Sequence, residues 1–127
     1  MRIRKYYVVG QRRLTLQEEE VAEPGPGQVL IRTRMSALSV GTEVWRYMNG
    51  GHYGGEGRAC GYNSAGEVVA VGADVKHLVP GDLAFAPEPH ADFLLVDSSR
   101  TIRLPPGLDL EAAVFLYLPT SVFTRCG

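Results

Sequence analysis

Pro24-Gly25-Pro26-Gly27-Gln28-Val29-Leu30-Ile31-Arg32-Thr33-Arg34-Met35 opens with a stiff turn and runs into a strand. Proline fixes φ and glycine frees it, so the first four residues break any element before them. From Val29 on, Ile31, Thr33 and Met35 fall on one face and Arg32 and Arg34 on the other, the period-2 pattern of a half-buried strand. Outward from it, Glu67–Val71 lies between Gly66 and Gly72, and its continuous apolar run predicts a strand buried on both faces. Leu83–Ala86 and Phe93–Val96 follow, separated by Pro87-Glu88-Pro89, and Thr101–Leu104 closes the series before Pro105-Pro106-Gly107. Near the N-terminus, Lys5–Val9 and Arg13–Gln17 predict a hairpin around Gly10-Gln11. The 15 glycines and 8 prolines sit mostly between these short runs, which predicts a mainly β fold. Two segments depart from the pattern. Thr42–Met48 predicts a short helix ended by Asn49-Gly50. Asp109–Val114 predicts a helix start with Asp109 as N-cap, and Pro119 suits the first turn of another helix.

A chain of 127 residues fits one domain, residues 1–127, with a core of its own. With 13 basic against 14 acidic residues and no long charge runs, the sequence argues against nucleic acid or an acidic membrane surface as partner. No segment reaches the ~20 apolar residues that cross a bilayer. Met1-Arg2-Ile3-Arg4-Lys5 has the charge of a secretory n-region, but the apolar run behind it, Tyr6–Val9, is too short. Cys60 and Cys126 are too few for a disulfide framework. A soluble, cytoplasmic domain is expected.

The glycines of Gly54–Gly61 do not fit a dinucleotide loop: Cys60 occupies the third glycine position, with no strand before it and no helix after it. A flexible surface loop is the simpler expectation. His52, His77 and His90 are scattered and lack partners at metal-ligand spacing, so by themselves they read as surface or structural residues. Cys60 and Cys126 read as small, partly buried thiols. Thr42 beside Glu43 is a hydroxyl next to a carboxylate, able to relay a proton; the plainer account has Thr42 capping the helix and Glu43 at its positive end. Trp45 and Tyr47 read as core aromatics or as substrate-side residues.

Several stretches in a fixed order resemble the medium-chain dehydrogenase/reductase superfamily, the zinc-type alcohol dehydrogenase-like enzymes. Pro24–Ile31 resembles its opening, Ser39–Glu43 its cysteine-glycine-threonine-aspartate box, and Gly61–Val69 its glycine-histidine-glutamate box. Val79–Leu83, Ala91–Phe93 and Leu104–Ala113 resemble later boxes in turn. The resemblance runs from about Pro24 to the C-terminus and implies that family's N-terminal catalytic domain, a GroES-like partly open β-barrel with a few short helices. It also implies that the NAD(P)-binding Rossmann domain and the returning final segment are absent from this chain, which then reads as a fragment or truncated member, inactive alone and not expected to bind NAD(P) by itself.

The places of the family's zinc ligands hold Val40, Tyr62 and, less securely aligned, Leu118, and the neighbouring glutamate is replaced by Asn63. The cysteine-rich structural-zinc loop has no counterpart, so no zinc is expected. Among metal-free branches, Ser36–Glu43, Gly61–Gly66 and Pro89–Phe93 resemble the group around bacteriochlorophyllide dehydrogenase. The implied activity is a zinc-independent NAD(P)-dependent oxidoreductase acting on a small molecule. Thr42 and Tyr62 are the catalytic candidates, as hydroxyl donors at or beside the lost metal site, and Trp45 and His90 are the substrate-binding candidates. The apolar side of a tail helix from Leu110 to Phe123 (Val114, Phe115, Leu118) would pack on the missing Rossmann domain or on another protein partner. A homo-oligomer is compatible with the sequence. The rival is a non-catalytic binding or assembly module that keeps the barrel; the dehydrogenase boxes argue against a co-chaperonin ring subunit.

Overall fold

The computed structural model describes residues 1–38, 40–49 and 58–115. A tight turn with Arg12 at φ 54° folds the N-terminus into an antiparallel hairpin of β1 (Arg2–Gly10) and β2 (Arg13–Glu20). After the Pro24–Gly27 turn come β3 (Gln28–Ser36), helix α1 (Val40–Asn49), β4 (Arg58–Ala59), β5 (Ser64–Val71), β6 (Leu83–Ala86) and β7 (Phe93–Asp97). A single 3₁₀ turn at Ser98–Arg100, β8 (Ile102–Leu104) and α2 (Leu110–Ala113) complete the described chain. Two open sheets result, ordered β2-β1-β4 and β7-β3-β5-β6-β8, and every pairing is antiparallel. This is the mainly β architecture expected of the sequence, with two short helices among the described residues.

The main core cluster is built from strands of the second sheet. Val29, Ile31, Val68, Ala84, Leu94 and Val96 pack with Leu78 from the β5–β6 connection. Ala37, Ala65, Phe85, Leu104, Ala113 and Val114 form a second cluster, which anchors α2 to the sheet. Asp109 caps α2, its carboxylate accepting from the Glu111 N–H at 3.0 Å.

Three expectations change. β5 is not buried on both faces, because Val69 is 36% exposed where the strand turns one side to solvent. Helix α2 ends at Ala113, and Val114 is buried in the core instead of lying on an outer helical face, while Phe115 is 46% exposed. The helix at Thr42–Met48 begins earlier, at Val40, so Thr42 lies inside its first turn and is not its cap. Residues 54–57 of the Gly54–Gly61 loop, together with His52, Leu118, Pro119, Phe123 and Cys126, lie outside the described residues.

One carboxylate ties the two sheets together. Asp92 accepts from the Arg4 N–H (2.8 Å), the Phe93 N–H (2.9 Å) and Arg4 Nε (3.1 Å), beside a lone bridge between Lys5 and Ala91. Burial alone would raise the Asp92 carboxyl, but these amides and the guanidinium outweigh it and hold it below its ordinary value. A carboxyl lowered on folding contributes stability above its unfolded value, and that contribution disappears as pH falls through the folded value. Asp92→Asn is therefore expected to cost about 1 kcal/mol at pH 7, after allowing for partial exposure of the pair. The gap between variant and wild type should close below about pH 4. Urea melts of both proteins across that range check it; a gap independent of pH would show that the charge is not what joins the sheets.

Candidate functional site

Three backbone hydrogen bonds assemble the site from distant parts of the chain. The Tyr6 N–H donates to the His90 carbonyl (3.2 Å), His90 N–H to the Cys60 carbonyl (2.7 Å), and Cys60 N–H to the Tyr6 carbonyl (2.9 Å). They lock β1, the residue after β4 and the residue before the Lys5–Ala91 bridge into one ring. Helix α1 lies over the hairpin, its Tyr47 carbonyl accepting from the Arg12 N–H at 2.7 Å. Between helix and hairpin runs a cleft of about 450 Å³. Its walls are Tyr6, Val8, Leu14, Leu38, Val44 and Tyr47; its polar groups are Ser36, Glu43, Cys60 and His90.

The polar groups are organised around one imidazole. His90 Nε2 lies 2.6 Å from Glu43 Oε1 and Nδ1 lies 2.7 Å from Ser36 Oγ. Glu43 is 6% exposed, and a buried carboxylate requires such a partner. A carboxylate only accepts, so Nε2 carries a hydrogen and donates it, which fixes one side of the ring. The ring lies against Gly61, whose φ is +96° and whose missing Cβ would sit 2.6 Å from Cδ2 and Nε2. Only glycine allows both that backbone conformation and that approach. Cys60 is half-buried; burial first, and the charge of Glu43 second, push its thiol up, so it stays protonated and poorly nucleophilic.

Of the four candidate residues read from sequence, His90 lies in the cleft. Thr42 is exposed in the first turn of α1, adjacent to Glu43, and Tyr62 is half-buried beyond Gly61; neither is among the residues lining the cleft. Of Trp45 and Tyr47, read as core aromatics or as substrate-side residues, neither is in the core: Trp45 is 53% exposed on α1 and Tyr47 stands on the cleft wall. His77 places Nε2 3.3 Å from the Thr101 carbonyl, away from the site. Sequence reasoning passed over Ser36 and the pairing of Glu43 with His90. Asn63 is completely buried, and neither of its amide atoms finds a partner among the described residues.

Among the described residues no three His, Cys, Asp or Glu side chains come together as a metal site. Every described strand pair is antiparallel, so the described residues contain no parallel β-α-β unit of the dinucleotide-binding type. No described helix is long and apolar enough to cross a membrane.

Residues 25–102 match the alcohol dehydrogenase GroES-like domain. A quinone oxidoreductase of Pseudomonas aeruginosa is 32% identical over 111 residues, covering 83% of this chain and 33% of that protein. The 2-desacetyl-2-hydroxyethyl bacteriochlorophyllide A dehydrogenase of Cereibacter sphaeroides is 29% identical over 146 residues, covering 100% of this chain and 46% of that protein. Among solved structures, Escherichia coli quinone oxidoreductase complexed with NADPH superposes with a TM-score of 0.71 at 16% identity, covering 91% of this chain and 37% of that one. The chain thus spans between a third and a half of the length of these two curated relatives.

Proposed function

We propose, from the premise that the chain belongs to the alcohol dehydrogenase GroES-like domain family of the medium-chain dehydrogenases/reductases, that it forms the substrate side of an NAD(P)-linked oxidoreductase. The observation that carries the reading is the cleft itself, an apolar slot ending on the hydrogen-bonded chain Ser36–His90–Glu43. An apolar wall with a few convergent polar groups is the usual form of a small-molecule site. The nicotinamide cofactor supplies hydride chemistry when bound, and its binding falls to a nucleotide-binding half beyond the residues described here. That half would cover the apolar side chains left exposed on and beside α1, namely Leu38, Val44 and Trp45. The protein would work in the cytoplasm.

The reaction in this reading is zinc-independent. Tyr62 and Asn63 stand where zinc-dependent relatives place a histidine and a glutamate, and neither side chain is an effective zinc ligand. Polarising a substrate oxygen then falls to hydroxyl or imidazole donors. The resemblance puts Thr42 and Tyr62 forward, and the cleft puts Ser36 forward.

The test is turnover of NADH and NADPH with apolar aldehydes, ketones and quinones by the protein joined to its nucleotide-binding half. Fluorescence titration of residues 1–127 alone with the same nucleotides runs beside it. Turnover is expected for the former, and for the latter binding no tighter than about millimolar, a few kcal/mol of interaction. Micromolar nucleotide binding by residues 1–127 would overturn the division of labour. Thr42→Val and Tyr62→Phe variants with unchanged turnover would remove those two hydroxyls from the chemistry.

A further inference from the structure

We infer that the Ser36–His90–Glu43 chain is a polarity switch. It makes the cleft accept a hydrogen bond from a ligand hydroxyl when His90 is neutral and donate one to a ligand carbonyl when His90 is protonated. The inference rests on the reading of this cleft as the substrate site, and it names the ligand class: an uncharged, apolar-bodied alcohol and its matching carbonyl compound.

Glu43 takes the Nε2 hydrogen at 2.6 Å, so a neutral imidazole has a bare Nδ1, and the Ser36 hydroxyl 2.7 Å away must donate to it. Ser36 then has only lone pairs to offer the cleft, and these suit an alcohol O–H. When His90 gains a second proton, Nδ1–H donates to Ser36 Oγ instead. The Ser36 hydrogen is released toward the cleft, where it suits a carbonyl oxygen. Both ring nitrogens are engaged and the ring packs on Gly61, so His90 acts through Ser36 and is a positioning residue.

Among the described residues, Glu43 of α1 is the acidic group in contact with His90. Tyr6 from β1, Tyr47 from α1 and Cys60 after β4 share the cleft, and Arg46 acts on Cys60 from the same helix. The remaining walls (Val8, Leu14, Leu38 and Val44) carry no charge and suit a ring or chain, not an ionic head group.

The experiment is calorimetric binding of 2-naphthylmethanol and 2-naphthaldehyde to the purified protein across pH, with the His90 ring nitrogens followed by NMR in the same buffers. The aldehyde-to-alcohol affinity ratio is expected to rise about tenfold as pH falls, with the midpoint at which the His90 ring gains its second proton. Ser36→Ala should bind both compounds with a ratio that no longer moves. Glu43→Gln should flatten the ratio too, because an amide accepts from or donates to Nε2 and no longer dictates the tautomer. Thermal melts establish that each variant is folded, and either one alone is sufficient. A constant ratio in the wild type, with both compounds bound, overturns the switch and leaves the cleft as a substrate site. Binding of neither compound at any pH overturns both.

Discussion

Gly66→Ala is expected to leave the protein unable to complete its larger sheet. Gly66 lies on β5 opposite Thr33 of β3 and Ala84 of β6, so it is enclosed on both sides by paired strands. A Cβ built there would stand 2.0 Å from the Arg32 carbonyl oxygen, 2.8 Å from its carbon and 2.9 Å from the Thr33 Cα. All three are backbone atoms, so no rotamer change relieves the contact, and β3 and β5 would have to part. β3 is also paired with β7 and carries Val29 and Ile31, which are at the centre of the core. Ordinary overpacking costs about 1–3 kcal/mol. Separating two central strands should exceed that and approach the roughly 5–15 kcal/mol that holds a domain folded. Circular dichroism should show either no cooperative melt or a Tm lowered by more than about 10 °C. Gly81→Ala is the control: its φ is +98° with nothing within 4 Å of the added carbon, so it carries only the conformational cost of about 1–2 kcal/mol. If the Gly66 variant melts within a few degrees of the Gly81 variant, the strands are not as close as described.

The same glycine shows which parts of this fold could be read from sequence. Glycine and proline punctuation marked the strands well, because turns are written locally: β6 runs from Leu83 to Ala86 as expected, and β3 differs by one residue at each end. Where an element depends on its partner, the sequence alone fell short. β2 continues through Glu18, Glu19 and Glu20, a triplet without strand propensity, because Arg2, Lys5 and the N-terminal amine lie across from it. β5 starts at Ser64, three residues before its apolar run, because Ser36 and Ala86 pair there. The site was less legible than the fold. Glu43 and His90 are 47 residues apart, and Ser36 and His90 are 54 apart. They meet only because the backbone ring through Tyr6, Cys60 and His90 brings three segments together, and no spacing rule encodes that. Glu43 was visible as a first-turn acid. That it points inward follows from how α1 docks on the hairpin, which the helical pattern does not state.

Gly61→Ala should give a different failure, one confined to the site. The φ of +96° costs an alanine about 1–2 kcal/mol. The clash is with the His90 ring (2.6 Å to Cδ2 and Nε2, 2.9 Å to Cε1), and a side chain can move where a backbone cannot. Yet this ring is held at both nitrogens, so moving it breaks the bonds to Glu43 and Ser36 together. Glu43 would then be a buried carboxylate without its imidazole, at a further cost of about 1–3 kcal/mol. The expected protein is folded, with native sheets, a stability lowered by about 2–5 kcal/mol, and His90 ring resonances moved away from their hydrogen-bonded positions. Affinity for a ligand in the cleft should fall with them. A double-mutant cycle separates the causes. In a His90→Ala background the clash is gone and the pairing already lost, so Gly61→Ala should cost only the φ term. The difference between the two backgrounds, about 1–3 kcal/mol, is the coupling that seats the ring. A coupling near zero would mean that Gly61 is required by the turn alone. The position of His90 would then be set by its hydrogen bonds, and the close approach of ring to backbone would be a consequence of the site and not one of its causes.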